Sequence, residues 1–292
     1  GVRWDKFETD QVMTYGALNS NVTSNKVQVG DTLKLDSDTD FFNYQAGLTF
    51  KPVENGSIYA SFATSANPVG VDGGDGSDGN GAPGRNTTEE QARALNNLKP
   101  EEVKTYEIGT KWDVLNDKLN LTAAIFRTEK ENTRAVTTDG FTRNIGETRV
   151  DGIELGANGN LTDKWAVSLG YTYLDSELVD DGPKETNEGN QVQNVAKNSA
   201  TLWTTYALTP TFTLGAGAVA MDKVYGNAAN TKFVPGYVRY DAMARYNVNK
   251  NVDLQLNVNN LSDVRYFNKA YSSHYATEAE GRSAVLSANF KF

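Results

Sequence analysis

Apolar and polar residues alternate strictly along this chain in about twelve separate segments, and the connections between them are short and long in turn. The segments are 1–10, 39–51, 56–66, 101–113, 118–131, 146–161, 164–178, 196–209, 211–224, 236–248, 251–267 and 281–292. The short connections are "PVEN" (52–55), "VLND" (114–117), "LTD" (161–163), "LTP" (208–210) and "NKN" (249–251). The long ones are 11–38, 67–100, 132–145, 179–195, 225–235 and 268–280. A period of two residues belongs to strands, not to amphipathic helices. Neighbouring strands joined by tight turns at one end and large loops at the other make an antiparallel up-and-down sheet with two unlike ends. Transmembrane β-barrels are built this way, whereas a sandwich mixes loop lengths at both ends.

Strand length points the same way. Many segments run twelve residues or more, against about 5–6 for globular sheets, and about 9–11 tilted residues cross a bilayer core. The two faces differ in kind. Leu254, Leu256 and Val258 alternate with Asp253, Gln255, Asn257 and Asn259, and Ile153, Leu155 and Ala157 with Glu154, Asn158 and Asn160. Periodicity alone does not say which face looks outward, because a soluble lipocalin-like barrel would reverse the arrangement. The aromatics decide. Phe50, Trp112, Tyr206, Tyr246 and Phe292 precede a short turn or the terminus on the apolar parity, and Trp165 and Phe212 follow one. Phe42 and Tyr173 lie eight residues from Phe50 and Trp165. Eight residues at roughly 3.3 Å, tilted about 40°, span about 20 Å, near the height of a lipid-facing band. Amphipathic rings prefer the headgroup level, so the apolar face is expected to meet lipid.

Composition narrows the function classes. With 28 basic and 37 acidic residues the net charge is −9, which speaks against a nucleic-acid partner. Absence of cysteine removes disulfides and thiolate metal sites, and the single histidine, His274, leaves little room for a histidine metal cluster. No metal and no cofactor is expected. In "YSSHYATEAEG", His274 stands beside Ser272 and Ser273, but adjacency in sequence is not the geometry of an activated nucleophile, so catalysis is not expected.

The stretches "NLKPEEVKTYEIGTKWDVLNDKLNLTAAIFRTEKENT", "GETRVDGIELGANGNLTDKWAVSLGYTYLDS", "NSATLWTTY", "VPGYVRYDAMARYNV" and "LQLNVNNLSDVRYF", with the terminal Phe292, resemble the C-terminal barrel half of TonB-dependent siderophore receptors, catecholate type. Residues 98–292 carry most of the resemblance and 1–65 a weaker part. It implies an all-β transmembrane antiparallel β-barrel, with about twelve strands here as part of a 22-stranded barrel whose lumen is plugged. Residues 1–292 are then read as the C-terminal half of that barrel, without the N-terminal plug and first strands. The implied function is an outer-membrane, multi-pass receptor and transporter for ferric siderophores. The ferric siderophore is the transported ligand, TonB couples through the missing N-terminal region, and outer-membrane lipid surrounds the wall. A complete twelve-stranded pore or barrel enzyme is the alternative, and a soluble ligand-binding β-protein a third.

A ferric catecholate is bulky and anionic, so arginine and aromatic faces at the external mouth are the groups to hold it. Position and chemistry single out Arg143, Tyr225, Tyr271, His274 and Tyr275 on the long loops or upper strand ends. The run "VGVDGGDGSDGNGAPGR" is read as a surface loop; it lacks the acidic closing residue of a calcium loop. The following "TTEEQARALNNL" (87–98) predicts one short helix with Thr88 as a cap. Arg239, Asp241, Glu107, Lys111 and Arg282 are assigned to salt bridges or plug contacts on the polar face.

Overall fold

A computed structural model describes residues 1–16, 28–68, 89–136, 142–182, 186–271 and 275–291. Its strands, in chain order, are β1 (Val2–Thr14), β2 (Thr32–Val53), β3 (Gly56–Asn67), β4 (Glu101–Val114), β5 (Leu119–Val136), β6 (Thr142–Thr162), β7 (Trp165–Asp180), β8 (Asn198–Ala207), β9 (Phe212–Met221), β10 (Val224–Tyr225), β11 (Phe233–Val234), β12 (Tyr237–Asn249), β13 (Val252–Asn259), β14 (Phe267–Tyr271), β15 (Tyr275–Glu278) and β16 (Ser283–Phe290). Twelve of them form one antiparallel sheet in the order β1-β2-β3-β4-β5-β6-β7-β8-β9-β12-β13-β16. The other four make two small ribbons, β10-β11 and β14-β15, in the long connections. β1 and β16 are the edges of the sheet, which among the described residues does not close on itself.

Register carries each face around the sheet without a break. Leu48, Ala60, Ile108, Ile125, Ile153 and Tyr173 stand side by side across β2 to β7. Trp165, Tyr206, Leu214, Ala244, Leu256 and Leu286 do the same from β7 to β16. These side chains lie open: Leu48 is 76 % exposed, Ile125 57 % and Leu286 71 %. An apolar surface of this extent needs an apolar partner, and on a wall of long antiparallel strands it is the arrangement of the outward face of a transmembrane barrel. Phe50, Trp165, Tyr206 and Tyr246 bound it at the short-turn end as expected, and Phe42, Tyr44 and Tyr240 mark the other end. Phe292 lies outside the described residues.

The opposite face is polar. Asp253 bonds Arg245 at 2.9 Å, the Tyr59 hydroxyl donates to Glu107, and Thr105 meets Thr128. Large rings on this side lie flat on glycines of the next strand. A Cβ on Gly217 would stand 2.4 Å from the Trp203 ring, and one on Gly152 would stand 2.2 Å from Phe126. The glycines let bulky rings cover the wall without filling the space in front of it.

The expected helix is present as Glu89–Asn96, and its proposed cap, Thr88, lies outside the described residues. Glu89 and Glu90 open it, and Arg93 in its last turn bonds Glu89 at 2.8 Å; both features suit the helix dipole. Ala92 packs with Tyr15, Leu33, Leu35 and Met13 on the polar-parity face of the β1-β2 hairpin. The Asn96 side chain donates to the Asp36 carbonyl at 2.7 Å, so the helix lies along β2.

Several boundaries differ from the sequence reading. β2 begins at Thr32, not 39, because Asp36, Asp38 and Asp40 give a strand no hydrophobic signature on that face. The segment 132–145 is not wholly a loop. β5 and β6 run on through a bulge at Asn132, whose φ is 56°, and resume pairing at Thr133↔Gly146, a shift that breaks the alternation. The last-but-one segment stops at Asn259 instead of 267. Asn260, 1 % exposed with φ 52°, turns the chain and closes the turn with both amide atoms, accepting from Val264 N–H at 2.9 Å and donating to its carbonyl at 2.8 Å.

Candidate functional site

At the long-loop end, three connections meet: 181–197 after β7, 222–236 after β9 and 260–282 after β13. Residues of all three build a small apolar core of Ala196, Val224, Val234 and Ala270, with Met221, Phe267 and Ala276 against it. Amides tie the loops together. Asn194 donates its main-chain N–H to the Tyr225 carbonyl at 2.9 Å and accepts the Ala270 N–H on its side-chain oxygen at 3.0 Å. Asn230 and Gln191 exchange two hydrogen bonds, at 2.8 and 2.9 Å, and Asn190 donates to the Ala228 carbonyl at 3.0 Å. Asn194 and Asn230 have φ of 57° and 52°, a region asparagine enters at little penalty. The third loop is anchored to the wall. The Arg239 guanidinium donates to the Tyr266 hydroxyl at 3.0 Å and to Asp241 at 2.8 Å, and Asp241 accepts Asn260 N–H at 2.8 Å.

This platform carries aromatic faces and cations. Tyr225 and Phe233 meet edge-on with centroids 6.4 Å apart, and the exposed Lys223 ammonium sits 4.9 Å from the Tyr225 ring and 5.7 Å from Phe233. The Tyr237 and Tyr266 rings meet at a tilt of 38° with centroids 4.3 Å apart. Arg265 lies over Phe267 and grips Glu278 with two bonds of 2.7 and 2.9 Å. The hydrogen bond from Arg265, ahead of its charge, holds Glu278 below the usual carboxylate range. Such a surface can stack on planar aromatic groups and take up negative charge.

Three of the five candidate residues come together here. Tyr225 lies on β10, half-buried; Tyr271 on β14 pairs in register with Tyr275 on β15, which is 55 % exposed; and the two ribbons touch. Arg143 is on the upper part of β6, opposite Ala135, separated from β9 and β12 by β7 and β8 in the sheet order, so it belongs to another part of the rim. His274, Ser272 and Ser273 lie outside the described residues. Sequence reasoning passed over Lys223, Phe233, Asn194, Tyr237 and Tyr266. The amide-rich run "NEGNQVQNVAKN" was the available signal for Asn194, since asparagine combines left-handed backbone with side-chain bridging.

Comparisons with known proteins agree with this architecture. The model of the family "TonB dependent receptor-like, beta-barrel" matches residues 1–261. A probable TonB-dependent siderophore receptor, PiuA of Acinetobacter baumannii, is 58 % identical over 302 residues, covering 100 % of this chain and 38 % of the relative. The catecholate siderophore receptor Fiu of Escherichia coli K12 is 33 % identical, covering 87 % of this chain and 33 % of the relative. The crystal structure of A. baumannii PiuA superposes with a TM-score of 0.86 at 57 % identity, over 100 % of this chain and 40 % of that one. The closed form of Fiu superposes at 0.80 with 30 % identity, over 100 % of this chain and 42 % of that one. The chain thus spans well under half the length of these relatives.

Proposed function

The chain belongs to the TonB-dependent receptor-like β-barrel family, and from that premise we propose that it forms part of the wall and external mouth of an outer-membrane receptor that imports ferric siderophores, catecholate type. The observation that carries this reading is the three-loop platform, which sets Lys223 against Tyr225 and Phe233 beside the ribbon of Tyr271 and Tyr275. Catechol rings would stack on the aromatic faces, and the negative charge of the ferric complex would meet Lys223. The remaining strands and the plug would come from the rest of the receptor, and TonB would act through that part. The ferric siderophore is cargo, and the reading assigns no catalytic step to the chain.

The test uses the complete receptor in detergent and a ferric catecholate whose binding quenches tryptophan fluorescence. Replacing Tyr225 and Tyr271 together by alanine is expected to weaken binding at least tenfold, and Lys223→Ala to weaken it further with a shallower salt dependence. Unchanged affinity in the double variant would remove these tyrosines from the ligand site.

A further inference from the structure

We infer that Asn194 is a positioning residue for ligand capture: one side chain and one main-chain N–H fix β10 and β14, the strands carrying Tyr225 and Tyr271, relative to each other. The inference rests on the functional reading above and adds to it a residue that never touches the ligand. Asn194 comes from the first of the three loops, Tyr225 from the second and Ala270 from the third. Its N–H holds the Tyr225 carbonyl at 2.9 Å, and its Oδ1 holds the Ala270 N–H at 3.0 Å. Ala270 is 4 % exposed, so its N–H has little water to turn to if that acceptor is lost. Asn194 makes the main-chain bond to the second loop and the side-chain bond to the third from a left-handed conformation, φ 57°, that asparagine enters at little penalty. Below this joint, Val224, Val234 and Ala270 are packed in one core, so a displacement of one ribbon moves the other. Fixing aromatic groups before the ligand arrives removes an ordering penalty from binding, which is the physical gain of such a joint.

The chemistry of asparagine supplies a clean set of variants for the complete receptor. Asn194→Gly tolerates the same backbone conformation and keeps the N–H to Tyr225 but deletes the carboxamide; Asn194→Asp keeps an acceptor for the Ala270 N–H. Two readouts are made. Hydrogen exchange of the peptide containing Ala270 reports the joint without any ligand. Fluorescence titration with the ferric complex of 2,3-dihydroxybenzoate reports capture. In Asn194→Gly the exchange is expected to accelerate and the affinity to fall about three- to tenfold, the loss carried by one net hydrogen bond, with the thermal transition of the barrel unchanged. Asn194→Asp is expected to retain slow exchange. Because the deleted bond holds the strand of Tyr271, the fall is expected to vanish in a Tyr271→Ala background. Unchanged exchange in Asn194→Gly overturns the inference, as does faster exchange with unchanged affinity, or a loss that persists in full in the Tyr271→Ala background. A wild-type receptor that binds no ferric catecholate overturns the functional reading and the ligand role of Asn194 with it, while the exchange arm still shows whether the two strands are joined.

Discussion

Single residues on the polar face and under the helix are where steric and polar terms can be isolated. Trp203 lies flat because Gly217 has no side chain; a Cβ there would also come within 3.2 Å of the Leu202 carbonyl. Gly217→Val in the complete receptor is expected to destabilise by about 1–3 kcal/mol, the usual penalty of overpacking, and much less when Trp203 is already alanine. Denaturant unfolding followed by the shift in gel migration measures both. Tyr15 offers an opposite case. It is 3 % exposed and its hydroxyl has no hydrogen-bond partner among the described residues. Tyr15→Phe is expected to hold the helix Glu89–Asn96 more firmly, by about 1 kcal/mol, since it removes an unsatisfied buried hydroxyl. Burial, and next the Glu89 carboxylate, raise the Tyr15 phenol above its ordinary value. A raised value means the neutral form is favoured in the folded state. Its contribution is therefore complete below the ordinary phenol value of about 10 and disappears as the pH climbs through the raised one. A phenolate absorbance titration is expected to show one late-titrating tyrosine fewer in Tyr15→Phe than in the wild type.

Among the elements, the β1-β2 hairpin shows which parts of the fold were readable. Its lower half was legible because Phe42, Tyr44, Leu48 and Phe50 alternate with polar residues, and a period of two identifies a strand directly. The upper half was not, because its outward face is charged on both strands: Glu8 stands opposite Asp38, and Asp10 opposite Asp36. Like charges directly across a ladder are unfavourable. Lys6, bonded to Glu8 and opposite Asp40, offsets them in part. Asp38→Lys is expected to raise the stability of the hairpin, measured as slower exchange of its amides, with a gain that shrinks as salt is added. Lower down the same strand, Ala46 lies mid-way between Phe42 and Phe50 on the lipid side. Ala46→Arg there is expected to cost about 2–4 kcal/mol in bilayer folding, whereas the same change at Gly47 on the opposite face costs little. The candidate site was partly legible for a related reason. Tyr225, Tyr271 and Tyr275 advertise themselves as aromatics on long loops, but the residues that join the loops, Asn194, Gln191 and Asn230, act through amide geometry that no spacing rule reveals. The packing that brings β10 beside β14 joins elements that lie far apart in the chain, a separation over which one sequence shows no pattern.

For the molecule as a whole, the two uncovered edges govern behaviour. Among the described residues, β1 and β16 each leave one row of backbone N–H and C=O groups without strand partners, and hydrocarbon supplies none. The 292-residue chain alone is therefore expected to give no heat-modifiable band on a gel after insertion into lipid, whereas the complete receptor gives one. A heat-modifiable band from the chain alone would show that it closes or pairs its edges by itself. The welded mouth has a practical corollary for protein engineering. Because the first, second and third outer connections share one apolar kernel and interlocking carboxamides, transplanting a single connection from a cousin with different cargo would strand half of each contact. Swapping specificity should demand that all three be exchanged as one cassette.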